Sequence, residues 1–309
     1  LRKLLKLGSG DIFSRKKLTE SIKLITDRFG DDGYGFANVN AAPEQNNEKQ
    51  EVAFTFFIDP GRRVYVRRIT ISGNSRTRDE VIRREIRQLE GAWYSTAKIN
   101  RSKVRISLLK YFAGVTLDTP AVANSTDKVD VNIEVKEKPT GNVMFGLGFS
   151  QQEGIILSGN ISQANIFGTG KHLAVKANTG AVRKLFSLSY TDPYFTVDGI
   201  TAGFDLYMRS LNTNNLKAVS NIKSETKGGA FRFGLPISET DSVFVGIGAE
   251  TTDITNSIHS PLRNRRFVEK FGNPTSNFPL TFRWRHNGLN SGIWPTSGSM
   301  HRIFGEVSV

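Results

Sequence analysis

The sequence predicts two α+β modules of βααββ type in tandem, followed by an antiparallel transmembrane β-barrel truncated to about nine strands. Three observations carry this. A template recurs in the first half, helical periodicity stops after Lys138-Pro139, and strict two-residue alternation then runs through nearly every segment.

The second copy of the template is the clearer one. Residues 64–72 read as a strand, and Gly73-Asn74 turns the chain. Residues 77–88 read as a helix, with Thr77 and Glu80 at capping-box spacing and Ile82, Ile86 and Leu89 on one face. Its acids, Asp79 and Glu80, precede its bases, Arg83, Arg84 and Arg87, as the helix dipole favours. After the Gly91 stop, Ser95 or Thr96 opens a second helix to about Tyr111, with Ile99, Ile106 and Leu109 inward. A short strand near 115–118 and a longer one over 128–138, alternating Val129, Val131, Ile133 and Val135 with charged residues, complete the unit.

The first copy shows the later parts of the same unit. Residues 14–29 predict a helix with Leu18, Ile22, Ile25 and Phe29 on one stripe. A short strand over 36–40, an acidic-polar loop and a strand over 51–58 follow, closed by Asp59-Pro60-Gly61. This copy is read as lacking its opening strand.

After residue 138, Val143, Phe145, Leu147 and Phe149 alternate with Met144, Gly146, Gly148 and Ser150. Similar runs fall near 155–161, 171–179, 184–190, 200–209, 226–235, 243–250, 278–285 and 299–309. Most have roughly the 9–11 residues that a tilted strand needs to cross a bilayer. The two longest connections, 211–225 and 256–277, are the fifth and seventh, both odd, as when long loops share one side of a membrane. A soluble β-sandwich alternates too. The barrel is favoured by the number and length of the strands, by Gly, Ser and single charges opposite the apolar positions, and by aromatic residues at segment ends: Tyr190, Tyr194, Phe195, Trp284 and Trp294.

Composition narrows the partners. The 309 residues include no Cys, so stability must come from a core or from lipid rather than a disulfide framework. The four His (His172, His259, His286, His301) have no metal-ligand spacing, and no cofactor or metal site is expected. The net charge of +13 is spread along the chain, with 26 Lys and Arg against 18 Asp and Glu over residues 1–140 and 16 against 11 beyond. No basic–aromatic pattern of a nucleic-acid module is present, so lipid or acidic protein partners are favoured and nucleic acid is not expected. Residues 1–7 lack the apolar run of a signal peptide, and no stretch approaches the ~20 apolar residues of a membrane helix. Strands that alternate average out as polar, so hydropathy does not decide against a barrel.

Four motifs occur in order: Arg62-Arg63-Val64-Tyr65-Val66-Arg67-Arg68-Ile69 with Ser72-Gly73-Asn74; Arg83-Arg84-Glu85-Ile86-Arg87-Gln88-Leu89-Glu90-Gly91-Ala92-Trp93; Asn165-Ile166-Phe167-Gly168-Thr169-Gly170; and Asp192-Pro193-Tyr194-Phe195-Thr196-Val197-Asp198-Gly199. Together they resemble the POTRA-containing outer-membrane β-barrel insertases, the BamA-type assembly factors of Gram-negative bacteria. The resemblance runs almost end to end. It implies polypeptide-transport-associated (POTRA) modules at 1–61 and 62–140, the last two before the barrel, and the N-terminal part of the barrel at 141–309. It implies an outer-membrane location with the modules in the periplasm. The implied function is outer membrane protein assembly, the non-enzymatic folding and insertion of β-barrel proteins, without nucleotide or other cofactor. The implied partners are unfolded outer-membrane proteins, outer-membrane lipids and Bam complex lipoproteins, with BamD at the last POTRA module. The family barrel has about sixteen strands. On that basis the sequence reads as a fragment, without the signal peptide, earlier modules, closing strands and late Arg-Gly-Phe loop.

The candidate site residues follow from the same reading. Asn142, Val143, Met144, Phe145, Gly146, Leu147, Gly148 and Phe149 form the first barrel strand, whose glycines weaken its pairing. In the family this edge parts from the closing strand, so a substrate strand can add by β-augmentation. The plainer reading is that Gly146 and Gly148 relieve crowding in a curved sheet. Strands 64–72 and 128–138 are second candidates for such an edge; the plainer and favoured reading is that both are core strands. Arg83, Arg87 and Glu90 match the region where the family docks a lipoprotein; the plainer reading is a solvated surface. Asp192, Pro193, Tyr194 and Phe195 form a periplasmic turn of structural role. Gly168-Thr169-Gly170-Lys171 fails as a phosphate loop, because Asn165 stands at the first Gly position and His172 follows the Lys. No catalytic constellation is visible. The competing functions are a two-partner-secretion-type polypeptide transporter of the same superfamily, a passive porin and, most remotely, an outer-membrane enzyme.

Overall fold

A computed structural model describes residues 1–213, 222–256, 260–289 and 294–309. The chain forms two compact units, Leu1–Lys138 and Pro139–Val309.

The first unit holds two α+β modules. Helix α1 (Arg15–Asp31) starts where the Ser14 side chain accepts from the Lys17 N–H, and it buries Ile25. Strands β1 (Asn38–Asn46) and β2 (Glu51–Asp59) form an antiparallel pair. β1 is longer than the strand expected at 36–40. The ladder with β2 runs from Asn38 opposite Asp59 to Asn46 opposite Glu51, so most of the expected loop is paired backbone.

The second module is β3 (Tyr65–Ser72), α2 (Asp79–Arg83), α3 (Thr96–Leu108), β4 (Phe112–Asp118) and β5 (Lys128–Glu137). Its sheet has the order β3-β5-β4, with β3 parallel and β4 antiparallel to β5. The alternation of β5 buries Val129, Val131, Ile133 and Val135 against Val66, Ile69, Val81, Ile82, Ile99 and Ile106. Ser95 caps α3 as expected.

The helix expected over 77–88 is only five residues long, and its capping box is not formed: the N-cap is Arg78, without a side-chain cap. Beyond Arg83 the chain tightens, with Glu85 and Ile86 N–H bonding the carbonyls of Ile82 and Arg83. The buried Gln88 explains the ending. Its side chain donates to the carbonyls of Leu89 and Trp93, at 3.2 and 2.9 Å, and accepts from the Ser95 N–H at 3.1 Å. These bonds hold non-helical backbone and turn Leu89 outward, against expectation.

The two modules are tied together. The Arg63 guanidinium lies over the rings of Tyr34 (5.3 Å) and Trp93 (5.5 Å), and Tyr65 stacks on Trp93. Asp31 accepts from the Ser95 hydroxyl and the Ala97 N–H. Gly30 permits this approach, since a Cβ there would lie 2.0 Å from the Thr96 hydroxyl.

The second unit is one antiparallel sheet. Its strands are β6 (Gly141–Ser150), β7 (Gly154–Gln163), β8 (His172–Thr179), β9 (Arg183–Asp192), β10 (Thr201–Asn212), β11 (Lys223–Pro236), β12 (Asp241–Thr255), β13 (Thr275–Asn277), β14 (Pro279–Asn287) and β15 (Met300–Ser308). The order is β6 to β12, then β14 and β15, each paired with its sequence neighbour, with the short β13 attached to β12. The nine principal strands match the alternating runs in place. β11 and β12 are longer than the expected span. The connection over 256–277, expected as a loop, contains helix α4 (Leu262–Phe271) and β13. Within the fifth, seventh and eighth connections, residues 214–221, 257–259 and 290–293 lie outside the described residues, and the loop-length pattern there is not assessed.

Burial decides between barrel and sandwich. Among the described residues, the buried apolar side chains of this unit are Ala174 and Val182 alone; the rest of the buried apolar set lies in the first unit. Val143, Phe145, Leu147 and Phe149 are exposed, as are Leu157, Leu206, Phe231 and Ile247 on the same face. No second layer covers that face, so no sandwich core exists. A bare apolar sheet of this size is stable only where its surroundings are themselves apolar. The opposite face carries a polar network. Arg232 pairs with Asp205 and donates to Ser189 and Thr191, while Tyr207 and Arg209 converge on Glu250.

One carboxylate in the first unit gives a measurable pH dependence. Burial raises the proton affinity of Glu137, but bonds from Thr77, the Arg76 N–H and the Ser75 hydroxyl outweigh it, leaving the carboxyl below the usual range. Its stabilisation is therefore complete above the unfolded carboxylate range and is lost as pH falls through the lower, folded value. Glu137→Gln should cost about 1 kcal/mol at pH 7, given its partial exposure, and flatten the acid limb of stability. Urea unfolding at pH 7 and at pH 3 checks this; equal losses at both would be inconsistent with it.

Candidate functional site

β6 is an end strand of the sheet; the other end is β15. Its register with β7 runs unbroken from Gly141 opposite Gln163 to Ser150 opposite Gly154. Every second residue therefore directs its N–H and C=O away from the ladder. All eight predicted residues, Asn142 to Phe149, lie on this strand and are exposed, with Phe145 81% and Leu147 78% accessible. Gly146 and Gly148 stand on the face opposite those side chains. A Cβ at Gly146 would meet the Ser158 hydroxyl at 2.5 Å, whereas one at Gly148 would have ordinary room. Crowding thus accounts for Gly146 but not for Gly148.

The two candidate strands of the second module differ in their edges. β5 is the central strand, paired on both sides, so residues 128–138 present no free edge. β3 is an outer strand, but its start is covered: Val66 bonds Gly91 and Ala92, and the Tyr94 N–H bonds the Val64 carbonyl. Further along, Glu90 accepts from the Ile69 N–H at 2.7 Å, and Arg83 reaches the Ile69 carbonyl at 3.5 Å. Arg83 is itself 3.8 Å from Glu90 and 2.9 Å from Asp79. An acidic and a basic side chain thus occupy the backbone donor and acceptor of one residue of β3, much as a neighbouring strand would. They line a groove of about 420 Å³ with Arg68, Thr70, Ile71 and Asp79. Arg87 does not line this groove: its guanidinium donates to the Arg84 carbonyl at 3.3 Å, and its backbone N–H bonds the Ser102 hydroxyl of α3. The structure therefore gathers Arg83 and Glu90 but not Arg87.

The segment beginning at Asp192 is a tight turn. Asp192 accepts from the Tyr194 N–H and pairs with Lys171 at 3.1 Å, and Gly199 takes the left-handed φ of +83°. Residues 164–171, 193–200 and 237–240 join strands at the sheet end where residue 141 begins β6. Tyr190, Tyr194, Phe195, Trp284 and Trp294 all lie toward that end.

Comparison with known proteins sets these edges in a family. A model described as the Omp85 superfamily domain matches residues 165–309, and POTRA, described as a surface antigen variable number repeat, matches 1–61 and 64–138. The chain is 36% identical, over its whole length, to the outer membrane protein assembly factor BamA of Neisseria meningitidis. The chain belongs to the Omp85 superfamily. It is also 30% identical, over 92% of its length, to the BamA of Nitratidesulfovibrio vulgaris. It spans 40% and 35% of the lengths of these two curated relatives. Among solved structures, Haemophilus ducreyi BamA lacking POTRA domains 1–3 superposes with a TM-score of 0.74 at 32% identity, covering 99% of this chain and 60% of that one. CdiB from Acinetobacter baumannii, at 12% identity and a TM-score of 0.52, shares the fold alone. In this superfamily member the sheet is an outer-membrane sheet, its exposed apolar face meets lipid, and the POTRA modules lie in the periplasm.

Sequence reasoning missed Gln88, Glu137 and Arg63, which hold the module and its neighbour. Only Gln88 left a trace, as a polar residue beside an apolar stripe. Glu90→Ala should raise amide exchange at Ile69 by about tenfold or more while lowering global stability by under about 1 kcal/mol, because the lost bond is solvent-accessible. Residue-resolved hydrogen exchange checks it; unchanged protection at Ile69 would contradict the capping geometry.

Proposed function

We propose that the chain acts, non-enzymatically, in folding β-barrel proteins and inserting them into the outer membrane. In this reading residues 1–61 and 62–140 are POTRA modules and 141–309 is the N-terminal part of the barrel. An arriving strand pairs with β6 through the residues from Asn142 to Phe149. The observation that carries the reading is that β6 is the first strand of the sheet, exposes Val143, Phe145, Leu147 and Phe149 on the lipid-facing side, and carries a glycine at 148 that crowding does not require. In hydrocarbon each unpaired N–H or C=O costs several kcal/mol, so a strand that meets those groups crosses the interface with less exposed backbone. The accelerated step is physical, and no covalent chemistry is required of the chain.

The groove at Glu90 and Arg83 serves docking in the same reading. Glu90 leaves the Ile69 N–H for a cationic group of a Bam complex lipoprotein, BamD by resemblance, while the freed β3 edge accepts extended chain. Arg87, the third residue of the proposed docking region, bonds Ser102 of α3 through its backbone N–H and the Arg84 carbonyl through its guanidinium. Asp192, Pro193, Tyr194 and Phe195 form the periplasmic turn. The alternative, a two-partner-secretion-type transporter, has less support, because whole-chain identity is to assembly factors while the likeness to CdiB is of fold alone.

The absence of Cys makes a test direct. Single cysteines at positions 142 to 149 of the reconstituted protein, paired with a cysteine scan of one strand of a stalled barrel substrate, should form disulfides in a single antiparallel or parallel register. Efficiency should peak at every second position. Cross-links confined to the POTRA modules, with none along β6, would refute strand addition at this edge.

A further inference from the structure

We infer that α4 and the strand ends beside it bind the phosphate-bearing anionic glycolipid of the outer leaflet. The argument starts from position. β6 begins at the end that follows the POTRA modules, and successive strands alternate in direction, so α4, between β12 and β14, lies at the opposite end of the sheet. With the modules periplasmic, that end faces outward from the cell.

The helix has the chemistry of an interfacial element. Its ten residues carry Arg263, Arg265, Arg266 and Lys270 against the single acid Glu269. None of the ten is buried. Phe267 and Phe271 are one helical turn apart, with ring centroids at 5.0 Å, and both are exposed. Arg263, Arg266 and Lys270, spaced three and four apart, flank that aromatic stripe. Lys270 lies over the Phe271 ring at 5.0 Å, and among the described residues none of the four bases pairs with a carboxylate. Aromatic rings beside unpaired bases match a lipid surface whose headgroups carry phosphate, which guanidinium binds in bidentate fashion.

The helix is also held in place. Asn256 donates to the Asn264 carbonyl at 3.4 Å, and Asn273 bonds both the Asp253 carboxylate and the Ile254 N–H at 2.8 Å. Gly272, at φ +82°, ends it. Lys184 stands at the same sheet end, on the lipid-facing side, in register with Thr179, while Lys227 there pairs with Glu225 at 2.9 Å. At the other end Lys171 pairs with Asp192 and His286 bonds Asp241, whereas the four bases of α4 have no carboxylate partner among the described residues. An outer leaflet of anionic glycolipid opposite an inner leaflet of ordinary phospholipid would match that difference.

The inference rests on the membrane sheet and its orientation, not on the insertion activity. The test is native mass spectrometry of the detergent-solubilised protein titrated with bisphosphorylated lipid A, its dephosphorylated form and phosphatidylcholine. The protein should retain the bisphosphorylated lipid preferentially. Arg263→Glu, Arg266→Glu and Lys270→Glu together should lower its affinity by about 100-fold, while the charge-preserving set Arg263→Lys, Arg266→Lys and Lys270→Arg keeps most of it. Heat-modifiable gel migration reports whether each variant retains its sheet. Equal retention of the dephosphorylated lipid, or full retention by the folded charge-reversed variant, would overturn the inference. So would displacement of the lipid by an acidic peptide, which would mark α4 as a protein-binding surface.

Discussion

The pairing of backbone N–H and C=O groups is the constraint on which the rest of this molecule depends. In water an unpaired peptide group at a sheet edge is solvated and costs little. In hydrocarbon it has no partner, and the cost is several kcal/mol per group. The second unit meets that demand between its strands by continuous antiparallel registers from β6 to β15. In the proposed function the same pairing chemistry serves twice, holding the sheet together and receiving an arriving strand at β6.

The periplasmic unit handles the same problem by different means. β3 is also an outer strand, but backbone from 91–94 covers its start and the side chains of Glu90 and Arg83 cover the N–H and C=O of Ile69. A side-chain cap is weaker than a strand and can be exchanged one bond at a time. That makes the β3 edge protected in isolation yet open to a competing partner, a common arrangement for edges that must avoid aggregation. The Arg63 guanidinium between Tyr34 and Trp93 fixes one module against the next, so that this edge is presented on a continuous body.

The rims of the sheet carry complementary signals. Aromatic residues gather toward the end where the chain enters the sheet, and unpaired bases gather on α4 at the other. A symmetric bilayer would give no reason for such a difference. An asymmetric one does, because the two interfaces present different charges to the protein.

The sequence by itself determined most elements of both units, because a period of two or of about 3.6 residues is written locally in which side chains are apolar. The runs at Val143–Phe149 and Val129–Val135 were legible for that reason, as was the cap at Ser95, whereas α4 and β13 fell in an expected loop. It also determined the candidate edge, through the glycines of β6 and the motifs that resemble the superfamily. Only the tertiary structure decided what lies beside each strand. That β5 is central, that β3 is capped by Glu90, that the Arg87 N–H meets Ser102 of α3, and that the helix at Asp79 stops after five residues all depend on partners distant in sequence. Gln88 shows why: its neighbours in sequence favour helix, but its amide is buried among the carbonyls of Leu89 and Trp93 and the N–H of Ser95, and satisfying them costs less than extending the helix. Alternation likewise states that one face is apolar but not what touches it; the near absence of buried apolar side chains across the sheet decided that, since a face without a packed partner layer must rest on lipid.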